Sequence, residues 1–199
     1  MEHFKKEEFV IIDVETTGLS PQSGDRIIEI AALKIKDLRP VDQFATFVDP
    51  QRPLSYGAFM VNKITAEMID GAPAARDILP ALTDFIGDAY LIGHNIKFDF
   101  KFIQNEYDLC GQQMPLKEHA FDTIKMARKI LPELRTYSLR NVATYLDIRI
   151  DYLHRAMADV DLTYKVFDDL LHRSFKQDIT DMQALIKHFG VSLKLKEHR

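Results

Sequence analysis

A short apolar run near the amino terminus constrains the fold more than any other part of the sequence. Residues 9 to 14 read FVIIDV, so Asp13 is their only polar member. Such a run, rich in β-branched residues, is typical of a strand buried on both faces of an α/β sheet. Further strands are predicted over residues 26–35, 41–48 and 89–92. We therefore expect an α/β fold with a central mixed β-sheet of about five strands, of which these four can be placed, flanked by helices.

The second half of the chain is predicted to be mostly helical. Apolar spacing indicates helices over residues 122–131, 138–146 and 156–171, and a further helix after the strand at 89–92. The stretch between residues 49 and 73, rich in proline and glycine, is expected to hold at most one short helix, near residues 65–69. A capping box of Thr180 and Gln183 predicts a last short helix over residues 180–190.

Composition limits the class of protein. The 199 residues contain 26 Lys plus Arg against 30 Asp plus Glu, a formal charge of −4, whereas proteins that grip nucleic acid by its phosphates usually present a basic surface. Cys110 is the only cysteine, which excludes an internal disulfide and a multi-cysteine zinc site. No apolar run reaches the roughly 18 residues of a membrane span. We expect a cytoplasmic protein without membrane contact.

Two acids stand where the first strand ends. Asp13 and Glu15 are two residues apart, so on a strand their side chains project from the same face, roughly 7 Å apart. Ligands of open α/β sheets gather outside the carboxyl ends of strands, and a pair of carboxylates there suits a hard divalent cation. The alternative is that these acids only cap the following turn.

Two further acids lie on the inward faces of predicted helices. Asp99 stands between two phenylalanines at a helix start, although an acid in a first turn can also serve the helix dipole. Asp159 aligns with the apolar stripe of its helix. Two carboxylates 4 Å apart repel by about 4 kcal/mol at an effective dielectric of about 20, so converging acids require one or two Mg²⁺ or Mn²⁺ ions. A two-metal site near a histidine, here His154, is suited to phosphodiester hydrolysis.

Three ordered motifs resemble those of the DEDDh 3′-to-5′ exonucleases. They are DVETTG at residues 13–18, HNIKFD at 94–99 and HRAMAD at 154–159. That family includes the proofreading subunit or domain of bacterial replicative polymerases, ribonuclease T and oligoribonuclease, and its fold is ribonuclease H-like. The resemblance covers residues 9–170. It implies an exonuclease domain over residues 1–173, followed by a C-terminal helical extension over residues 174–199 that packs on the domain or serves a partner.

The resemblance also implies roles for the acids. Asp13 would bridge two divalent ions, Mg²⁺ or Mn²⁺. Glu15 and Asp159 would hold the ion that carries the attacking water, and Asp99 would support the second ion. His154 would be the general base, because an imidazole of ordinary pKa, near 6.5, can take up a proton around pH 7. Cleavage would release a nucleoside 5′-monophosphate.

Substrate contacts are implied at four further positions. Thr16 and Leu19 would meet the terminal nucleotide, with Leu19 wedged against its base, and His94 and Phe98 would line the pocket. For Leu19 and Phe98 ordinary packing is the alternative. Lys63 occupies a place where the family commonly has glycine before Ile-Thr, a departure that concerns substrate contacts rather than the chemistry.

The predicted function is therefore a metal-dependent 3′-5′ exonuclease acting on single-stranded DNA in proofreading or repair, with a DNA polymerase subunit as a candidate partner. One alternative is an RNA-trimming exoribonuclease, and another is a noncatalytic module that binds nucleic acid or a polymerase. An aspartyl-phosphate phosphohydrolase is disfavoured, because Glu15 stands where its nucleophile loop requires aspartate. Two divalent cations would offset the formal −4 charge, so activity and substrate binding should depend on metal.

Overall fold

Six strands form one mixed sheet within residues 4, 6–112, 114, 117–150 and 155–193, the part of the chain that this computed structural model describes. The spatial order is β3-β2-β1-β4-β5-β6. The pairs β1–β4 and β4–β5 are parallel, and the other neighbours are antiparallel. The strands are β1 (Glu8–Thr16), β2 (Ile27–Lys36), β3 (Arg39–Phe47), β4 (Tyr90–Gly93), β5 (His119–Asp122) and β6 (Gly190–Ser192).

Helices cover both faces of this sheet. A short 3-10 helix over Pro21–Ser23 follows β1, and α2 and α3 pack on one face while α4 to α7 pack on the other. The α-helices are α1 (Tyr56–Asn62), α2 (Ala75–Ile86), α3 (Ile96–Leu109), α4 (Thr123–Ile130), α5 (Leu139–Tyr145), α6 (Ala156–Phe175) and α7 (Met182–Phe189). None of these helices is long and apolar enough to cross a membrane.

The alternation of β1 side chains supplies a core on each face. Phe9 and Ile11 pack toward α6, whereas Val10 and Ile12 pack toward α2 and α3. All four side chains are buried, which explains the continuous apolar run of this central strand. The period of two also places Asp13 on the face that α6 covers.

The predicted α/β class and the mixed sheet are confirmed, with one strand more than the five or so expected. Two strands went unpredicted: β5, with the sequence HAFD, has a polar residue at each end, and β6 has only three residues. The helix expected near residues 65–69 is wrong, since residues 66–68 form a turn and the helix of this stretch is α1. Ser55 begins α1 by accepting a hydrogen bond from the Ala58 amide at 3.1 Å.

The last described residues complete the sheet. Leu185 and Phe189 of α7 are buried in the core on the same face of the sheet as α6, and β6 pairs with β5. The predicted capping box is wrong in its cap residue, because Asp181 rather than Thr180 accepts the amide of Ala184, at 2.8 Å. The expected domain boundary after residue 173 stays a prediction, and it falls inside α6.

Candidate active site

Three carboxylates meet near the carboxyl end of β1. Asp13 and Glu15 project from the strand toward α6, and Asp159 lies in the first turn of that helix. One carboxylate oxygen from each lies within 4.8 Å of those from the other two. The strand and the helix thus bring together acids that are about 145 residues apart in sequence.

Asp99 approaches the same strand from the opposite face. It is buried in the first turn of α3, and its carboxylate accepts a hydrogen bond from the Val14 amide at 3.1 Å. Val14 lies between Asp13 and Glu15, so this bond fixes α3 to the strand at the position of the acids. Asp99 is not a member of the 4.8 Å cluster, but its charge acts on Asp13.

Burial and mutual repulsion raise the pKa values of these acids. Burial, followed by the charges of Asp99 and Asp159, raises the pKa of Asp13 well above its usual range. Burial raises the pKa of Asp99 as well, despite the amide bond from Val14. For Glu15 the pKa is raised to about 7, mainly by burial and then by Asp159. The cluster therefore favours a compensating positive charge, either a proton or a cation.

The donor set fits a hard divalent cation. Mg²⁺ and related ions take oxygen ligands at roughly 2.0–2.6 Å, so two oxygens on one ion are at most about 5 Å apart. The 4.8 Å limit within the Asp13, Glu15 and Asp159 cluster is consistent with that span. A bound cation would also remove the repulsion that raises their pKa values.

Glu29 is a charged residue beside this cluster that the sequence reasoning missed. It lies directly opposite Glu15 in the β1–β2 ladder and is buried, and its charge helps to raise the pKa values of Asp13 and Glu15. Arg155, just before α6, donates to both of its carboxylate oxygens. The available signal was a lone acid in the apolar strand IIEIAAL, the same signal that singled out Asp13.

Asn62 was also missed. This residue is buried at the end of α1, and its amide nitrogen donates to the Thr16 carbonyl at 3.3 Å. A hydrogen bond from the same side chain to Glu15 opposes the rise of the glutamate pKa. Its amide oxygen accepts the Ile64 amide at 3.1 Å. Asn62 therefore ties α1 to the end of β1.

A groove adjoins the acidic cluster. It has a volume of about 420 Å³, and Leu19 on its edge is 85% exposed. Phe98 lines it from α3 and packs on Phe102, with ring centroids 5.0 Å apart. Thr16 also lines the groove, and its hydroxyl donates to the Gly18 carbonyl at 2.6 Å. Three of the four predicted substrate-contacting residues thus lie on one groove.

His94, the fourth predicted substrate-contacting residue, makes hydrogen bonds within the protein. Its Nε2 donates to the Tyr137 carbonyl at 2.9 Å, and its Nδ1 lies 2.8 Å from the Thr123 hydroxyl. Burial lowers the pKa of His94, which favours a neutral ring. Contact between His94 and substrate stays a prediction. His154, the predicted general base, lies outside the described residues.

Acidic residues at the carboxyl end of a central strand of an α/β sheet are suited to metal-dependent chemistry on phosphate groups. A family model described as RNase_T, Exonuclease, matches residues 10–167. The chain belongs to this family, the DEDDh 3′-5′ exonucleases, which confirms the predicted family and its enzyme class. The family implies divalent metal ions, consistent with the acidic cluster.

Known relatives agree with this assignment. DNA polymerase III PolC-type of Clostridium perfringens is 36% identical over 196 residues, 96% of this chain but 13% of that protein. The 3′-5′ exonuclease DinG of Bacillus subtilis is 32% identical over 187 residues, 92% of this chain and 20% of that protein. The chain therefore spans only a small part of the curated relatives it matches.

The fold matches solved structures. A structure of Exonuclease X in complex with 5′ overhanging duplex DNA superposes with a TM-score of 0.69 and 26% identity. The match covers 84% of this chain and 93% of that one. The predicted ribonuclease H-like exonuclease fold is confirmed.

Proposed function

We propose that this protein hydrolyses phosphodiester bonds from the 3′ end of single-stranded DNA and releases nucleoside 5′-monophosphates, in proofreading or repair. The observation that carries the proposal is the cluster of Asp13, Glu15 and Asp159 within 4.8 Å, next to an open groove. Asp99 completes the set of four acids that the three motifs predicted.

The acidic cluster is proposed to hold two divalent cations, Mg²⁺ or Mn²⁺. Asp13, Glu15 and Asp159 offer oxygens at one place, and Asp99 would support the second ion from the other face of β1. Bound cations supply Lewis-acid stabilisation of phosphate charge and lower the pKa of water. His154 is proposed to accept the proton of the attacking water as general base.

The groove beside the cluster is proposed to bind the terminal nucleotide. Its volume of about 420 Å³ falls within the usual range for small-ligand pockets, roughly 300–1,000 Å³. The exposed side chain of Leu19 would pack against the terminal base, and Phe98 lines the same groove. Apolar contact with a base face tolerates any base, as a nonspecific exonuclease requires. Thr16 and His94 are proposed to complete the pocket.

DNA is the proposed substrate because of the relatives. One of them is named as a DNA polymerase, and Exonuclease X was solved with duplex DNA. By the same reasoning, a DNA polymerase subunit is the proposed protein partner. Action on RNA is the alternative that the experiment must separate. The cytoplasmic location expected from the sequence stays a prediction.

Asp13→Ala provides the decisive comparison. With Mn²⁺, the wild-type protein should release mononucleotides from a single-stranded DNA labelled at its 5′ end, leaving a ladder of shortened products. Loss of several kcal/mol of charge stabilisation should lower the rate of the variant roughly 10³-fold or more. Asp161→Ala is the matched control, since Asp161 is an exposed acid of α6 and should retain wild-type activity.

Substrate class is tested with four substrates in parallel: single-stranded DNA, duplex DNA with a mismatched 3′ end, single-stranded RNA and a very short RNA. Faster cleavage of the two DNA substrates supports the proposal, and the mismatched end being preferred indicates proofreading. Faster cleavage of RNA would replace the DNA assignment with an exoribonuclease. If none of the four substrates is cleaved, the proposed exonuclease activity itself is contradicted.

A further inference from the structure

An arginine–glutamate pair links strand β2 to the start of helix α6. Arg155 Nη2 donates to Glu29 at 2.9 Å, and its Nε lies 3.3 Å from both carboxylate oxygens. The guanidinium also lies over the ring of Phe47, 5.1 Å from its centroid. Glu29 is buried, whereas the Arg155 side chain is 47% exposed. Bidentate pairs of this kind fix orientation as well as distance.

The pair reaches the backbone that carries Asp159. The amide of Ala156, the first residue of α6, donates to Glu29 at 3.2 Å. The carbonyl of Arg155 accepts the amide of Asp159 at 3.1 Å. Glu29 of β2 therefore holds both the Arg155 side chain and the Ala156 amide. Arg155 in turn accepts the Asp159 amide, so these contacts connect β2 to the helical turn that carries Asp159.

The location of Glu29 is unfavourable on electrostatic grounds. It is paired across the ladder with Glu15, and carboxylates directly opposite one another destabilise a sheet. Its charge also acts on Asp13. A buried acid at this place is compensated by its contacts with Arg155 and the Ala156 amide. Those contacts point to a role in fixing the helix start.

We propose that Glu29 and Arg155 form a clamp that positions Asp159, and that this clamp sets the affinity of the site for its divalent cation. The inference rests on the proposed function insofar as the acidic cluster is the metal site. Both clamp residues are positioning residues, acting through the α6 backbone. Groups that orient metal ligands commonly change metal affinity by about 10–100-fold when they are replaced.

Two substitutions that change the local charge in opposite directions distinguish a positioning role from a purely electrostatic one. Glu29→Gln removes a negative charge near the cluster, and Arg155→Gln leaves that charge without its arginine. If only charge mattered, the first would weaken Mn²⁺ binding and the second would strengthen it. If the clamp positions Asp159, both should weaken Mn²⁺ binding, each by about tenfold or more.

The measurement is isothermal titration calorimetry of the purified full chain with Mn²⁺ alone, without nucleic acid. The double variant should bind Mn²⁺ about as tightly as the single variant with the lower Mn²⁺ affinity, because both changes break the same clamp. Melting temperatures of the metal-free proteins identify folded variants. If Glu29→Gln does not fold, the test is carried by Arg155→Gln, whose side chain is half exposed.

Glu106→Gln is the matched control. Glu106 is also buried and also receives two hydrogen bonds from one arginine, Arg26, but it lies in the later part of α3. This variant should keep Mn²⁺ affinity within about twofold of wild type while losing stability. If Arg155→Gln binds Mn²⁺ as tightly as the wild-type protein or more tightly, the proposed clamp is contradicted. Absence of Mn²⁺ binding by the wild-type protein would instead overturn the proposed function.

Discussion

Glu106 of α3 is a buried acid that donors of the protein satisfy, whereas Asp159 of α6 belongs to a group of acids around a space that a cation fits. Glu106 accepts hydrogen bonds from Arg26 and from the Ile27 amide. On the other face Asp159 joins Asp13 and Glu15 within 4.8 Å.

This difference separates two uses of buried charge. A carboxylate with fixed donors is compensated without a ligand, and removing one partner leaves an uncompensated group. Carboxylates that face one another repel, and a bound proton or cation relieves that repulsion, so the repulsion favours metal binding. We therefore expect changes on the α3 side away from Asp99 to affect stability, and changes to the acids that face one another on the α6 side to affect metal binding and catalysis.

Apart from replacement of a metal ligand, the largest effect is expected from replacement of His154, which precedes α6 in sequence. His154→Ala should lower kcat by roughly 10²–10⁴-fold, the usual contribution of a general base. Because His154 is not proposed as a metal ligand, Mn²⁺ affinity measured by calorimetry should stay at the wild-type value. His172→Ala, at a half-exposed histidine of α6, is the control and should retain activity. Equal losses in kcat and Mn²⁺ affinity would contradict the general-base role.

Glu106→Gln should show the opposite result on the α3 side. Breaking the buried pair with Arg26 should lower the free energy of unfolding by about 3 kcal/mol in urea titrations. At a temperature where the variant stays folded, kcat should remain near that of wild type. Glu8→Gln removes an exposed pair with Lys36 and should change stability far less than Glu106→Gln does. A large loss of kcat in folded Glu106→Gln would break the distinction between the two sides.

The smallest effect concerns Glu15, on the strand between the two helices. Its raised pKa of about 7, against 4.5 ordinarily, means that the metal-free folded state binds more protons between those values. Stability of the metal-free protein should therefore fall as pH rises from about 5 to beyond 7. Glu15→Gln should reduce this slope and stabilise the protein at pH 8 by about 1–3 kcal/mol.

Thermal unfolding in EDTA across this pH range provides the measurement. Asp161→Asn, an exposed acid on α6, should reproduce the wild-type slope. A slope that is unchanged by Glu15→Gln would show that Glu15 carries no repulsion in the folded protein. Addition of Mn²⁺ should reverse the effect, since only the wild-type carboxylate can bind the cation at full strength.

Local patterns predicted most of the fold. The apolar run of β1 and the spacing of α6 predicted their elements, because periodicity alone reports which side chains face a core. Strand β5 escaped prediction because it has only two apolar residues, whereas β4, which is equally short, has no charged side chain; β6 has only three residues. Helix α1 escaped it because prolines and glycines around it resemble a loop, whereas Ser55 caps a helix there.

The acids of the site could also be found in the sequence. Asp13, Asp99 and Asp159 each interrupt an apolar strand or an inward helix face, and burial of an acid requires a partner. Asn62 could not be found in this way, since one buried amide in a loop-like stretch has no periodic signal. Glu29 carried the signal, but its partner Arg155 is distant in sequence.

The sequence by itself determined the central strand, the acids and the family, because strand alternation, helix spacing and three motifs are local properties of the chain. The tertiary structure alone decided which acids share a space and which are already satisfied. Whether a carboxylate meets an amide, an arginine or another carboxylate depends on neighbours brought together by the sheet. That choice of neighbours is the physical difference between Glu106, which pairs with Arg26, and Asp159, which lies among other acids and is proposed to bind metal.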